Sequence, residues 1–353
     1  MNSKYMFSFI AVFVLFLVAY LGVEAAGLSV LFGVVLPYVA VLVFIAGFVS
    51  RVMSWARSAV PFRITTTAGQ QPSLPWIKQA KIDNPSTTLG VVVRMFFEIV
   101  TFRSLFRNTR MAVKSDGRIT YNLEIFLWVA ALAFHYAFLT VLVRHMRFFL
   151  EPVPVCLQWL ENLDSFFQFG LPVVYLSGLV LLGAVLYLFA RRLYLANVRY
   201  ISQASDFFPL ILIGGIALTG IMMRYFTKVD IVNVKALTMG LVTFHPTVPD
   251  GISGIFYVHL FFVSILLAYF PFSKLMHLGG VFLSPTRNMP GDTRARRHVN
   301  PWNYPVKVHS YEHYEDDFRE KMVEAGLPVV KMPEPEAPAD AEADPAPEGE
   351  EKE

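Results

Sequence analysis

The sequence predicts an all-α integral membrane protein whose six transmembrane helices form a helical bundle. Of its 353 residues, 55% are hydrophobic and only 16% are charged, whereas soluble domains carry about 25% charged residues. The mean hydropathy is +0.50, and the apolar residues lie in runs of the length that spans a bilayer, about 20 residues. The net charge of +3 gives no indication of a nucleic-acid partner.

Six stretches are predicted to cross the lipid bilayer, because each is long and predominantly apolar. Pro37 in the second and Pro271 in the sixth are expected to kink their helices without excluding them from a membrane. In chain order the predicted spans are 5–23, 28–50, 123–147, 167–190, 205–226 and 254–276.

The first span has some features of a cleaved signal peptide. A short basic start precedes its apolar run, and Glu24-Ala25-Ala26-Gly27 resembles a cleavage site. A second apolar run begins at once, at Leu28. We therefore favour a retained hairpin, in which residues 1–27 form an extra N-terminal transmembrane helix and a turn.

The distribution of Lys and Arg predicts the orientation. The 51–120 loop carries eleven of these residues, and the segment after span six is also rich in them. The loops on the opposite side of the membrane carry few. By the positive-inside rule, both termini and the 51–120 loop lie in the cytoplasm, and the protein lies in the cell's inner, cytoplasmic membrane.

Two parts of the 51–120 loop have recognisable character. Residues 89–107, LGVVVRMFFEIVTFRSLFR, are apolar but interrupted by charges, which predicts a helix lying on the membrane surface. A helix buried against a partner subunit is the alternative. Residues 65–76, TTTAGQQPSLPW, predict a turn-rich linker, with docking of a soluble partner as the alternative.

The C-terminal residues are polar. Residues 289–332 are predicted to form a cytoplasmic tail. Residues 333–353 are acidic and rich in Pro and Ala, a composition that predicts disorder.

The lone cysteine, Cys156, excludes an internal disulfide and a cysteine-ligated iron–sulfur cluster. A redox centre held by this chain would therefore use His or Met. His245 lies in a predicted outer loop, and three more histidines in the tail are expected to be solvated surface residues: His298, His309 and His313.

Four histidines lie on two of the predicted spans or directly at the end of one. His135 and His145 are ten residues apart on span three, and His259 and His277 are eighteen apart on span six, with His277 directly at its end. Three crossings separate these spans, so the two helices run antiparallel. This predicts that His135 meets His277 near the cytoplasmic side and that His145 meets His259 near the other side.

The helical geometry of this pairing is imperfect. Eighteen residues make five turns, so His259 and His277 share a helix face, whereas ten residues leave His145 about 80° away from the direction of His135. The rise along the helix is about 15 Å from His135 to His145 and about 27 Å from His259 to His277. If each pair holds a haem, then helix tilt, the kink at Pro271 and the breadth of the haem must make up the difference of about 12 Å.

Two imidazoles on one haem iron fill both axial positions, so the iron transfers electrons and does not bind oxygen. Ionisable side chains within spans are rare and usually functional, although a hydrogen-bonded structural role or proton relay is the alternative for each histidine.

Several glycines would let a flat macrocycle approach the backbone, or serve as plain helix contacts: Gly170, Gly178, Gly183, Gly214, Gly215 and Gly220.

The stretch from Val242 to Asn288 resembles the membrane cytochrome b subunit of respiratory nitrate reductases. The residues that carry the resemblance are VTFHPTVPDGISG, YVHLFF and FPFSKLMHLGGVFLSPTRN, together with LFGVVLPYVAVLVFIAGFVSRV of span two. The resemblance covers spans two to six, and it implies a cytochrome b domain over residues 28–288.

The resemblance also implies a ligand set. His259 and His277 match the family's two haem ligands in its last helix, and His135 and His145 match its other pair. The expected cofactors are therefore two haem b groups. Basic residues near each level are candidates for neutralising haem propionates: Arg51, Arg118 and Arg144.

The extra first span, the long loop and TTTAGQQPSLPW are similar to the M subunits of Dsr complexes in sulfate- and sulfur-metabolising prokaryotes, with the small subunit of membrane heterodisulfide reductase as the alternative. The resemblance implies electron transfer between menaquinol or menaquinone and a cytoplasmic iron–sulfur subunit resembling heterodisulfide reductase. Other membrane and periplasmic subunits would complete the complex, and its expected role is anaerobic sulfur respiration.

No quinone site is carried over from the family. Where the family has a lysine near the start of its third helix, an ungapped match places Phe166, with Asp164 and Gln168 as neighbouring candidates. No catalytic residue is therefore assigned.

Two rival functions remain. A transporter or cofactor-free anchor would show polar residues at the bilayer midplane or internal repeats, and the sequence shows neither. A haem-bearing anchor without quinone exchange is the other.

Overall fold

In the computed structural model the described residues are 3–58, 63, 68–165, 173–296 and 308–332. The chain divides into two compact units, residues 1–301 and 302–353. Within the described part, the second unit contains one helix, α14 (Tyr311–Glu324), whose Glu315 carboxylate accepts hydrogen bonds from the backbone N–H groups of Val330 and Lys331.

The first unit is mainly helical. Its helices are α1 (Ser3–Glu24), α2 (Leu36–Ala56), α3 (Thr88–Val100), α4 (Arg103–Phe106), α5 (Ile125–His145), α6 (Val155–Asp164), α7 (Leu176–Tyr194), α8 (Ala196–Ile201), α9 (Ala204–Tyr225), α10 (Ile231–Val242), α11 (Gly254–Tyr269), α12 (His277–Leu283) and α13 (Pro285–Asn288). A π-helical turn, Leu31–Val35, precedes α2, and the 3₁₀ turns are Met146–Phe148, Phe270–Phe272 and Lys274–Met276.

Six of the described helical segments are long and apolar enough to cross a membrane, which confirms the predicted fold class. They are Lys4–Glu24, Leu31–Ala56, Ile125–Phe148, Leu176–Tyr194, Ala204–Tyr225 and Gly254–Phe272.

Several predicted boundaries need correction. Span two ends at Ala56 instead of residue 50, and span four ends at Tyr194 instead of residue 190. Span four begins at Leu176 instead of residue 167, because residues 173–175 are not helical. The predicted residues 167–172 lie outside the described part. Span six ends at Phe272 instead of residue 276, because the chain leaves the helix at Ser273, which has an extended backbone (φ −119°, ψ 176°).

The end of the 51–120 loop contains two strands that the sequence analysis did not predict. Strands β1 (Thr109–Val113) and β2 (Ile119–Leu123) pair antiparallel as a hairpin that leads into α5. Its turn contains Asp116 and Gly117, and Gly117 has a positive φ of 79°. Asp-Gly between two short strands is a strong hairpin signal, because turns of this kind need positive φ.

Span one packs into the bundle against α9 and α11. Ser8 and Ala19 are fully buried. At one end Ser8 Oγ donates a hydrogen bond to Ala204 O over 2.9 Å, and at the other Glu24 Oε1 accepts one from Gly254 N over 2.9 Å. Retention of this helix stays a prediction, which these contacts favour.

Most of the core lies where α1, α2, α9, α10 and α11 meet, around fully buried Leu212, Leu237 and Val258. A second apolar cluster joins α5, α7 and α9 around Ala137, Leu181 and Ile213.

Helix α3 turns its charged face inwards. Arg94 and Glu98 are buried, whereas Leu89, Val92 and Phe96 are at least 57% exposed. This arrangement leaves an apolar outer face for lipid or for a partner subunit, so both predictions for residues 89–107 remain open.

Two arginines attach the loop to α13. Arg63 Nη2 and Arg94 Nη1 donate hydrogen bonds to the same carbonyl, Thr286 O, over 2.9 and 3.0 Å. Burial and the neighbouring Arg94 charge lower the pKa of Arg63 to about 10.

Other sequence predictions fall partly outside the described part. Residues 68–76 of the predicted linker contain only turns and irregular backbone, while 65–67 are not described. His245 lies in an exposed loop as predicted, and His309 and His313 are exposed. His298 and the acidic segment 333–353 lie outside the described residues.

The cap that Glu24 provides for α11 can be tested by mutation. Glu24→Ala removes the acceptor for the Gly254 N–H, which should cost about 1 kcal/mol, the usual loss for a helix cap. We expect a lower apparent melting temperature in detergent, with Glu24→Gln as a control that keeps an acceptor oxygen. Equal melting temperatures for Glu24→Ala and the wild type would show that the cap contributes nothing.

Candidate functional site

The structure brings the four histidines predicted to lie on spans three and six, called the span histidines, together in the two predicted pairs. The ring centres of His135 and His277 lie 5.9 Å apart, with the rings nearly perpendicular at 83°. Those of His145 and His259 lie 6.3 Å apart, with the rings nearly parallel at 16°. Below, the first pair is called the inner pair and the second the outer pair, after their predicted sides of the membrane.

The route of the chain between His259 and His277 differs from the prediction. The two residues do not share one helix, because α11 ends at Tyr269 and α12 begins at His277. Pro271 lacks the N–H needed to continue the helical ladder, and the extended Ser273 redirects the chain. The 12 Å mismatch therefore disappears, since it was calculated for a continuous helix.

Three of the histidines donate Nδ1–H to a nearby backbone carbonyl. The acceptors are Ala131 O for His135 at 2.7 Å, Val141 O for His145 at 2.6 Å, and Lys274 O for His277 at 2.9 Å. A carbonyl oxygen can only accept a hydrogen bond. The proton is therefore on Nδ1, and the lone pair of each ring is on Nε2, where it can bind a metal.

His259 reaches the same state through a side chain. Its Nδ1 lies 2.9 Å from Thr219 Oγ1, which is also 2.8 Å from Gly215 O and 3.0 Å from Ile216 O. The single hydroxyl proton of Thr219 is directed at these carbonyls, so the oxygen accepts Nδ1–H from His259. In all four rings the lone pair is thus on Nε2, which has no hydrogen-bond partner in the part of the chain that the structure describes.

This set of donors fits haem iron. Imidazole nitrogen binds a transition metal such as zinc at about 2.0–2.1 Å, so two rings on opposite sides of one ion have centres about 6 Å apart. Both pairs show this spacing. In the described ranges no group of three or more His, Cys, Asp or Glu is placed to hold a bare ion, whereas a haem needs only two axial ligands because its macrocycle supplies the others.

The predicted glycines divide into two sets. A Cβ at Gly178 or Gly183 would meet no atom within 4 Å, and one at Gly220 would lie 3.5 Å from Cε1 of His259. Those at Gly214 and Gly215 would meet Val185 and Phe262 at 3.4 and 2.9 Å. Gly178, Gly183 and Gly220 are thus compatible with a surface that faces a cofactor, whereas Gly214 and Gly215 are contacts between helices. Gly170 lies outside the described residues.

The loop reaches the inner pair through Phe102. The ring of Phe102 lies edge-on to His135, with centres 4.9 Å apart, and Phe134 approaches His135 similarly at 5.0 Å. Phe102 has a left-handed backbone, φ 49° and ψ 48°, which is uncommon for a residue with a bulky side chain. Nearby, Trp128 Nε1 donates a hydrogen bond to Thr101 O over 2.7 Å.

Beside the outer pair lies a cluster of charged residues. Asp164 accepts hydrogen bonds from the N and Oγ of Ser177 over 2.7 and 2.6 Å, and it lies 2.8 Å from Arg144 Nη1. The guanidinium groups of Arg144 and Arg224 stack on the ring of Tyr175, at 3.6 and 3.9 Å from its centre. Asp164 therefore serves as the partner of Arg144, and Phe166 and Gln168 lie outside the described residues.

Arg144, the chain neighbour of His145, keeps hydrogen-bonding capacity beside its ion pair with Asp164. Among the described residues its buried Nε and Nη1 have no well-aligned acceptor, which suits a carboxylate such as a haem propionate. Of the other two predicted candidates, Arg51 lies over the ring of Trp55, and the Arg118 side chain is 84% exposed on the hairpin.

Sequence reasoning did not find Thr219 or Phe102. A threonine one residue before a glycine in an apolar span carries no distinguishing pattern, and neither does one phenylalanine among the 32 in the chain. The ion pair between Arg144 and Asp164 could have been suspected, because both are charged residues at the ends of predicted membrane segments.

The chain is similar to known proteins over most of its length. The family described as "Nitrate reductase gamma subunit" matches residues 91–289. Two curated relatives carry the name "Hdr-like menaquinol oxidoreductase cytochrome b-like subunit". The one from Archaeoglobus fulgidus is 48% identical over 78% of this chain and 84% of its own length, and the one from Archaeoglobus profundus is 42% identical over 76% and 81%.

Removal of the Asp164 carboxylate should destabilise the protein. The side chains of Asp164 and Arg144 are only 4% and 11% exposed, and loss of one partner of a buried ion pair costs about 3–5 kcal/mol. We expect Asp164→Ala to lower the apparent melting temperature and the yield of folded protein.

The matched control is Asp116→Ala, because the Asp116 and Arg118 side chains are 52% and 84% exposed. Exposed pairs contribute at most about 1 kcal/mol. A loss of stability no larger for Asp164→Ala than for this control would contradict the structural role of Asp164.

Proposed function

Because the chain belongs to the nitrate reductase gamma subunit family, we propose that it is the cytochrome b subunit of a membrane menaquinol oxidoreductase complex of the heterodisulfide-reductase-like kind. The observation that carries the proposal is the two histidine pairs, in which every Nδ1 is hydrogen-bonded and no Nε2 has a hydrogen-bond partner among the described residues. The names of the two relatives support the menaquinol and complex parts of the proposal.

The proposed cofactors are two haem b groups, one held by His135 and His277 and the other by His145 and His259. When bound, each haem would supply one-electron transfer. The protein's part is to fix the four tautomers, to keep the rings in place and to surround them with apolar side chains. Arg144 is proposed to compensate the charge of a propionate near the outer pair.

The two pairs are proposed to serve different partners. The outer pair lies at the end of span three where Arg144 contacts Asp164 and Tyr175. We place menaquinol oxidation or menaquinone reduction on that side. The inner pair lies next to Phe102 of the 51–120 loop. We propose that a cytoplasmic iron–sulfur subunit resembling heterodisulfide reductase docks on this loop.

The finer assignment is an M subunit of a Dsr-type complex, acting in sulfite or sulfate respiration with further membrane and periplasmic subunits. The extra first span and the long loop support it. Both curated relatives bear a heterodisulfide-reductase-like name, which equally suits the small subunit of a membrane heterodisulfide reductase. In either case the proposed location is the cytoplasmic membrane, with both termini in the cytoplasm.

Haem quantitation tests the ligand assignment. The purified chain should contain two haem b groups and show a reducible b-type absorption band. We expect one haem per chain in His145→Ala and in His135→Ala, because each variant leaves one pair intact, and two in His245→Ala, whose ring is in an exposed loop. Two haems in His145→Ala would reject the pairing, and a wild-type chain without a b-type band would reject the proposed function.

Exchange with quinol is a separate test. In the intact complex, addition of a reduced menaquinol analogue without any sulfur substrate should reduce the b-type absorption band. If dithionite reduces the band and the quinol analogue does not, the chain is a haem-bearing anchor without quinone exchange.

A further inference from the structure

We infer that Thr219 is a positioning residue for His259 and that its hydroxyl sets the reduction potential of the outer haem. This inference rests on the proposed function, since it requires that His145 and His259 hold a haem. It concerns a side chain on α9, a span that contributes none of the four histidines.

The outer pair differs from the inner pair in how its ligands are held. The Nδ1–H groups of His135, His145 and His277 are accepted by backbone carbonyls. These acceptors cannot be removed by changing a side chain. Of the four span histidines, only His259 has a side-chain acceptor, Thr219 Oγ1 at 2.9 Å.

The position of the Thr219 hydroxyl is tightly constrained. Thr219 is 5% exposed, and its Oγ1 lies within hydrogen-bond distance of Gly215 O and Ile216 O in the preceding turn of α9. A threonine hydroxyl bonded to the preceding turn of its own helix is held in one rotamer. Its remaining lone pair is thereby directed at His259.

Helix packing brings α9 close enough for this contact. The glycine at 215 faces Phe262 of α11, where a Cβ would lie only 2.9 Å from the ring. A Cβ at position 220 would lie 3.5 Å from Cε1 of His259, an ordinary contact distance, so this turn of α9 lies against the imidazole. The close approach of the two helices at Gly215 thus places Thr219 within reach of the ring.

The hydrogen bond should influence the iron through the imidazole. An acceptor on Nδ1–H makes the ring more basic and a stronger donor through Nε2. A stronger donor favours ferric over ferrous iron and therefore lowers the reduction potential. Removal of the acceptor should raise the potential of the outer haem and leave the inner haem unchanged.

The experiment is a spectroscopic redox titration of the intact complex with Thr219→Val, which keeps the side-chain shape but removes the hydroxyl. The outer haem is identified as the component that His145→Ala removes. We expect about a tenfold shift of its reduction equilibrium towards ferrous iron, which for one electron is 59 mV. The inner haem and the conservative variant Thr219→Ser should keep wild-type potentials.

If Thr219→Val does not retain the outer haem, Thr219→Cys carries the test, because a thiol is a weaker acceptor of similar size. We expect a smaller shift in the same direction. Two haems with wild-type potentials in the variant that retains them would overturn the inference while leaving the proposed function intact. A wild-type complex without two b-type haems would instead overturn the proposed function.

Discussion

Hydrogen bonding of four imidazole N–H groups, three of them on membrane-spanning helices and that of His277 just beyond the last span, is the constraint on which the site depends. A polar group in a membrane interior must find its partner within the protein, because no water is available there. Here each Nδ1–H is satisfied within its own turn of helix or by a threonine on the neighbouring helix. Within the described ranges the ring nitrogen left without a hydrogen bond is Nε2, and the fold brings the rings together in two pairs.

The rest of the bundle supports this arrangement. Helix α5 contributes one ring to each pair, so its contacts with α7 and α9 determine both levels at once. The last span ends at Pro271 and Ser273, which places His277 on a separate short helix. This break lets His259 and His277 match the spacing of His135 and His145 on α5. On a continuous helix, the rise from His259 to His277 would be about 12 Å longer than that from His135 to His145.

The sequence was informative where topology decided the outcome. Six apolar runs predicted six spans, and the antiparallel order of spans three and six predicted which histidines meet. It failed where local backbone chemistry decided. Pro271 was predicted to kink the last span, whereas the helix ends there because Ser273 has an extended backbone. The hairpin of residues 109–123 was not predicted, although Asp116-Gly117 is a hairpin signal. Thr219 could not have been identified, since its role depends on the distance between two helices.

Low-temperature EPR and near-infrared magnetic circular dichroism of the oxidised, purified chain test the histidine ligand assignment most directly, because these measurements report the axial ligands of ferric haem. We expect two low-spin ferric haems per chain, each with two imidazole ligands. High-spin iron, a methionine or lysine ligand, or fewer than two haems in fully loaded protein would contradict the assignment of His135, His145, His259 and His277.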